Sequence, residues 1–176
     1  VLREDGLVRI FRLLMDRQME LDVSHTVMDS EQWDYILSLL STLLCAHLVE
    51  LNWSENPIDT RFIAFLRSLS SLHSLIVDEC FCGETSSLGE FLEFIERNRT
   101  LESLSISGNE RCHADPELLL DAISRNHGIT RLTMHHYEIS SDLQQKLAGI
   151  LGMQKLQYLH FDASDEFQIE SFLEGL

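Results

Sequence analysis

The chain has 176 residues, 44% of them hydrophobic and 24% charged, with 29 acidic against 13 basic side chains and a formal charge of −16. That composition excludes a disordered chain, and no apolar run is long enough to span a membrane. The charge argues against a binder of phosphate backbones, which needs clustered Lys and Arg; it suits a basic partner, or simply good solubility, better.

Residues 1–17 carry Leu7, Ile10, Phe11 and Leu14 at helical spacing, predicting an N-terminal helix or half-repeat. A short pattern, apolar-x-x-apolar-x-apolar, then recurs. Its weak first copy is Gln18-x-x-Leu21-x-Val23-x-x-Thr26, followed by a helical stripe of Trp33, Ile36, Leu37 and Leu40. Leu48-x-x-Leu51-x-Trp53-x-x-Asn56 precedes the stripe Phe62, Phe65, Leu66 and Leu69. Leu72-x-x-Leu75-x-Val77-x-x-Cys80 precedes Leu88, Phe91, Leu92 and Ile95, with Ser87 and Glu90 in capping-box spacing. Leu101-x-x-Leu104-x-Ile106-x-x-Asn109 leads to Asp115-Pro116, a cap followed by Pro at the first helical position. Ile129-x-x-Leu132-x-Met134-x-x-Tyr137 leads to a second capping-box pattern, Ser141 to Gln144. Leu156-x-x-Leu159-x-Phe161-x-x-Ser164 precedes Ile169, Phe172, Leu173 and Leu176. The copies start at 18, 48, 72, 101, 129 and 156, steps of 30, 24, 29, 28 and 27. One strand and one helix per unit is the reading, and a fixed period of this size signals a repeat architecture.

On these motifs the chain resembles leucine-rich repeat proteins, in the helix-containing variety typified by ribonuclease inhibitor. The resemblance runs from Gln18 to Leu176. It implies an α/β solenoid, a horseshoe with parallel strands on its concave face and helices on its convex face. Residues 1–176 then form a single domain of about six repeats over 18–176, cut from a larger protein whose other domains are potential partners. The family Asn that bridges backbone groups at the turn corresponds to Asn56 and Asn109; Thr26, Cys80, Tyr137 and Ser164 depart from it, implying irregular turns. Families of this kind include cytoskeletal regulators, innate immune receptors, Ran-type GTPase activators and bacterial effectors.

Strand side chains alternate, so residues flanking the two inner apolar positions point to the open face. Unit by unit these are Glu20, Asp22 and Ser24; Glu50, Asn52 and Ser54; Ser74, Ile76 and Asp78; Ser103, Ser105 and Ser107; Arg131, Thr133 and His135; Tyr158, His160 and Asp162. That face grades from acidic, through small hydroxyls, to a mixed group. The expected partner-binding residues are Glu20, Asp22, Glu50, Asn52, Asp78, Arg131, His135, Tyr158, His160 and Asp162. The implied function is non-catalytic protein binding, with neither nucleic acid nor membrane as partner and no cofactor. The alternatives are a GTPase-activating domain, with Arg61 or Arg111 as a trans-acting finger, and a structural spacer.

Other chemistry fits less well. Four irregularly spaced cysteines, Cys45, Cys80, Cys82 and Cys112, suit a reduced, cytoplasmic protein, although Asn52-Trp53-Ser54 and Asn98-Arg99-Thr100 are glycosylation sequons. Cys80, Cys82, Cys112 and His113 could approach one another in stacked turns as zinc ligands, but their spacing matches no usual finger. Ser103, Ser105, His135, His160 and Asp162 supply the residue types of a triad, yet an open sheet offers no cleft or oxyanion hole. Adjacent strand residues such as His135 and His136 face opposite sides and do not share one ion.

Overall fold

The structure, a computed structural model, describes residues 18–26, 28–81, 87–108, 115–137, 140–152 and 156–161. The expected helix over 1–17, the Ile169–Leu176 stripe, Asn109, Arg111, Cys82, Cys112, His113, Asp162 and Ser164 lie outside them. Among the described residues six strands alternate with five helices. The order is β1 (Met19–Asp22), α1 (Ser30–Leu44), β2 (Leu48–Asn52), α2 (Thr60–Ser68), β3 (Ser74–Ile76), α3 (Leu88–Arg97), β4 (Ser103–Ser105), α4 (Pro116–Arg125), β5 (Arg131–Met134), α5 (Ser141–Gly152) and β6 (Tyr158–Phe161). All six strands pair in parallel and follow chain order across one sheet. No helix among the described residues is long and apolar enough to cross a membrane.

The strand register follows from the repeated leucines. Leu21, Leu51, Leu75, Leu104, Leu132 and Leu159 stand opposite one another in turn, forming one row across the sheet. The first five are buried and Leu159 packs partly against the same core. A slip of one residue would turn that row outward, so burial fixes the register. The weak first copy is corrected at its start: Gln18 is exposed, and Met19 takes the place opposite Leu48 through an irregularity between Met19 and Glu20.

The helices close the core from one side. Trp33, Ile36, Leu37 and Leu40 are buried on α1, and Leu88, Phe91 and Ile95 on α3. Two buried side chains fall outside the expected stripes, Ile63 on α2 and Phe94 on α3, while Leu92 is only partly buried. A central helix has neighbours on both flanks, so its apolar surface is wider than a single stripe. Trp53 stacks on Phe62 and meets Trp33 at a tilt in this core, with ring centroids 4.1 Å and 4.4 Å apart. Trp53 Nε1 donates to the Pro57 carbonyl at 3.1 Å, which satisfies the indole in this apolar setting.

Caps mark where helices begin. Asp115 accepts from Glu117 N at 2.9 Å with Pro116 following, as expected. Ser87 makes no side-chain cap bond because its backbone is already helical, so the expected box there is not formed. The cap of α5 lies at Ser140, whose hydroxyl accepts from Leu143 N at 3.2 Å, one residue before the expected Ser141. Asp29 and Gln32 form a capping box that pattern reading missed. Successive helices are also tied by exposed ion pairs: Asp34–Arg61, Glu93–Arg67, Glu96–Arg125 and Asp121–Lys146. Hydrogen bonding and charge from Asp121 raise the Lys146 pKa.

Candidate functional site

The residues between the buried leucines form two rows on the face turned away from the helices. One row runs Glu20, Glu50, Ser74, Ser103, Arg131, Tyr158; the other runs Asp22, Asn52, Ile76, Ser105, Thr133, His160. Glu20, Asp22, Arg131, Tyr158 and His160 are exposed, and Glu50 and Asn52 are half-buried. Tyr158 is 50% exposed, a large aromatic surface left in contact with solvent on the last described strand. The structure therefore places nine of the ten expected binding residues on or just beyond these rows; the tenth, Asp162, lies outside the described residues.

Where the strands end, backbone pairing does not. Val23, Trp53, Val77 and Ile106 donate to Asn52, Ile76, Ser105 and Thr133 of the following unit at 2.8–3.0 Å. Two residues on, His25, Glu55, Glu79 and Gly108 donate to Ser54, Asp78, Ser107 and His135 at 2.9 Å. At that second step the chain turns through positive φ in His25, Glu55, Glu79, Gly108 and His136, the same position of five units. Only one of the five is glycine, so four units hold an ordinary residue in the left-handed region.

Side chains at the strand ends serve these turns. Asp78 Oδ1 accepts from Ser105 Oγ at 2.7 Å and Ser107 N at 2.6 Å. Asn52 Oδ1 accepts from Ser54 N at 3.1 Å and Ser54 Oγ at 2.7 Å, and Asp22 Oδ1 from Ser24 N at 2.9 Å. Ser107 is buried, contrary to its expected place on the open face, and its hydroxyl accepts from His135 N at 3.0 Å. Asp22, Asn52 and Asp78 are thus held in fixed orientations by the turn that follows each strand.

The expectation of irregular turns is also corrected. Asn56 donates through Nδ2 to the Val23 carbonyl of the preceding unit at 2.8 Å. Cys80, at the same position, donates through Sγ to Trp53 at 3.4 Å, and Tyr137 through its hydroxyl to Ile106 at 2.9 Å. Thr26, in the first unit, bonds to Val23 of its own unit at 2.6 Å. Different side chains reach the same carbonyl, so the turn is preserved without the asparagine. A second polar tie, at the other end of the strands, escaped pattern reading. Asn126 is buried, donates to Ile95 at 2.6 Å and Asn98 at 2.8 Å, and accepts from Gly128 N and Ile129 N. Its sequence signal is Asn three residues before the repeat start, shared with Asn98.

Of the remaining chemical candidates, Cys80, Arg61 and His135 lie among the described residues, and each is held in contacts of its own. Burial pushes the Cys80 thiol up to about 12, in keeping with its part as a turn donor. Among the described residues no three His, Cys, Asp or Glu side chains converge on a metal position. Arg61 is held by Asp59, Asp34 and Ser30, with its Nε 2.8 Å from Asp59 Oδ2 and its Nη1 2.6 Å from Ser30 Oγ. The Asp59 bond is the largest influence raising its pKa. His135 and His136 keep their ring centroids 6.3 Å apart, whereas His135 meets His160 of the next strand. No protein-family model matches the chain, and no curated protein matches it at a significant level.

Proposed function

We propose that the chain is a leucine-rich repeat solenoid, curved as a horseshoe, that acts as a non-catalytic protein-interaction module in a reducing, cytoplasmic setting. The partner is a protein with a basic segment, and it docks along the strand face. The observation that carries this reading is the pair of side-chain rows spanning all six strands, acidic at Glu20, Asp22 and Glu50 and carrying Arg131 and Tyr158 at the far side. Repeat scaffolds use such extended faces for binding. Complementary charge steers encounter, while Tyr and Arg are residues that anchor interfaces. Turn hydrogen bonds that orient Asp22, Asn52 and Asp78 support preorganisation, which limits the entropy lost on binding.

The test compares proteins captured by the wild-type chain with those captured by the charge-reversed variant Glu20→Lys/Asp22→Lys/Glu50→Lys and by Tyr158→Ala. Thermal unfolding checks that each variant is folded. Loss of the same partners from both variants is the expected result. Recovery of the wild-type set by both removes the strand face as the docking surface.

A further inference from the structure

We propose that the groove at the C-terminal ends of α2 and α3 binds an acidic peptide segment of a partner protein, one that also carries a bulky apolar side chain. Its volume of about 590 Å³ lies within the range of about 300–1,000 Å³ usual for binding pockets. Its apolar lining is Leu66, Leu69 and Phe94, all buried, and its rim holds Arg67, Arg97 and Arg99, all exposed. Charge sets this place apart. Elsewhere among the described residues, ion pairs between helices leave the cation matched or outnumbered: Arg61 meets Asp34 and Asp59, Lys146 meets Glu117 and Asp121, and Arg125 meets Glu96. Here the ratio is reversed. One carboxylate, Glu93, meets Arg67 through Oε2 and Arg97 through Oε1, each at 2.9 Å, and Arg99 adds a third guanidinium. Three positive charges against one negative leave a local surplus of two in a chain of formal charge −16.

The fold holds this rim in place. Arg67 and Arg97 stand in the last turns of their helices, where a cation meets the negative end of the helix dipole. Arg99 Nη1 donates to the Glu96 carbonyl at 3.3 Å. Asn98 fixes the loop between them: its Oδ1 accepts from Thr100 N at 2.9 Å and Leu101 N at 2.7 Å, and its carbonyl accepts from Asn126 Nδ2 at 2.8 Å. A guanidinium carries five N–H donors, and Glu93 takes one from Arg67 and one from Arg97, so the pair has donors for a second carboxylate. Arginine forks suit carboxylates, while the apolar lining gives a Phe or Leu of the same segment a place to leave water. Nucleic acid is the poorer occupant, because three arginines are few for a phosphate backbone facing an otherwise acidic chain. None of these residues belongs to the strand rows, so the inference does not depend on docking there.

Fluorescence anisotropy of the labelled, capped peptide Asp-Glu-Phe-Asp-Glu-Leu with the 176-residue chain tests this, with Asn-Gln-Phe-Asn-Gln-Leu as the uncharged control. An exposed ion pair is worth up to about fivefold in affinity, so the control peptide, and the acidic peptide with Arg67→Gln/Arg97→Gln/Arg99→Gln, should each bind at least about tenfold more weakly. Arg61→Gln, at the other end of α2, should leave binding unchanged. Glu93→Gln should tighten it, because the competing carboxylate is gone; ion pairs that only hold the helices together predict no such gain. No binding of the acidic peptide, or equal binding of the two peptides, overturns the proposal. So does a triple variant that is folded by circular dichroism and binds like the wild type, or a folded Glu93→Gln that binds more weakly. Tighter binding of an oligothymidylate than of the acidic peptide would make nucleic acid the occupant and overturn it as well.

Discussion

The Tyr137 hydroxyl donates to the Ile106 carbonyl at 2.9 Å, the same bond that Asn56, at the same repeat position three units earlier, makes to the Val23 carbonyl at 2.8 Å. Both side chains are buried, and each ties a turn to the strand end of the unit before it. The asparagine does more, since Nδ2 also reaches Trp53 at 3.2 Å and Ser54 at 3.3 Å. A net hydrogen bond is worth about 1 kcal/mol, and stranding a buried partner costs about 1–3 kcal/mol. Tyr137→Phe should therefore lose about 1 kcal/mol and Asn56→Ala about 2–3 kcal/mol in urea unfolding. Equal, negligible effects would show that the turns do not depend on these bonds.

The left-handed turn residues predict opposite outcomes for two substitutions. Gly108 has φ 69°, and a Cβ there would sit 2.6 Å from Glu79 Cγ. Gly108→Ala should cost about 1–2 kcal/mol from the left-handed backbone alone. Glu55 has φ 62° and only an exposed pairing with His25 to lose. Glu55→Gly should be neutral or stabilising by up to about 1 kcal/mol, because strain is released while chain entropy partly offsets it. Denaturant unfolding of both variants checks the signs; a loss above about 1 kcal/mol in Glu55→Gly would contradict the strain assignment.

Much of this was written in the sequence, and the reason is periodicity. Leucines at fixed offsets predict both the strands and their register, because only one alternation buries Leu51, Leu75, Leu104 and Leu132 together. Legibility failed where backbone conformation decides. Ser87 and Glu90 match a capping box by residue type, yet Ser87 adopts helical angles and cannot cap. Glu55 and Glu79 carry no residue signal for positive φ, which goes there with the parallel pairing that continues past the strand end. The His135–His160 contact joins residues 25 positions apart and becomes visible only once β5 and β6 are in register.

Cys80 gives a pH signature. Burial lifts its folded pKa from the model-peptide value of 9.0 to about 12. Below pH 9 the thiol is protonated in both states and its contribution to stability is whole; as pH rises toward about 12 the unfolded chain ionises first and that contribution is lost. The stability of the wild type should fall more steeply over that window than that of Cys80→Ala, measured by urea unfolding at a series of pH values. Parallel curves would show that the thiol is not desolvated.

The most direct test of the binding face is a nuclear magnetic resonance titration of the labelled chain with an Arg- and Lys-rich peptide at low ionic strength. Exposed charges are screened beyond about 10 Å at 0.1 M salt, so the interaction should weaken as salt is raised. Shifts should concentrate at Glu20, Asp22, Glu50 and Asn52, spare the outer surfaces of α2 and α3, and vanish in the charge-reversed variant. Shifts spread equally over the helices, or unchanged by charge reversal, would contradict docking along the strands.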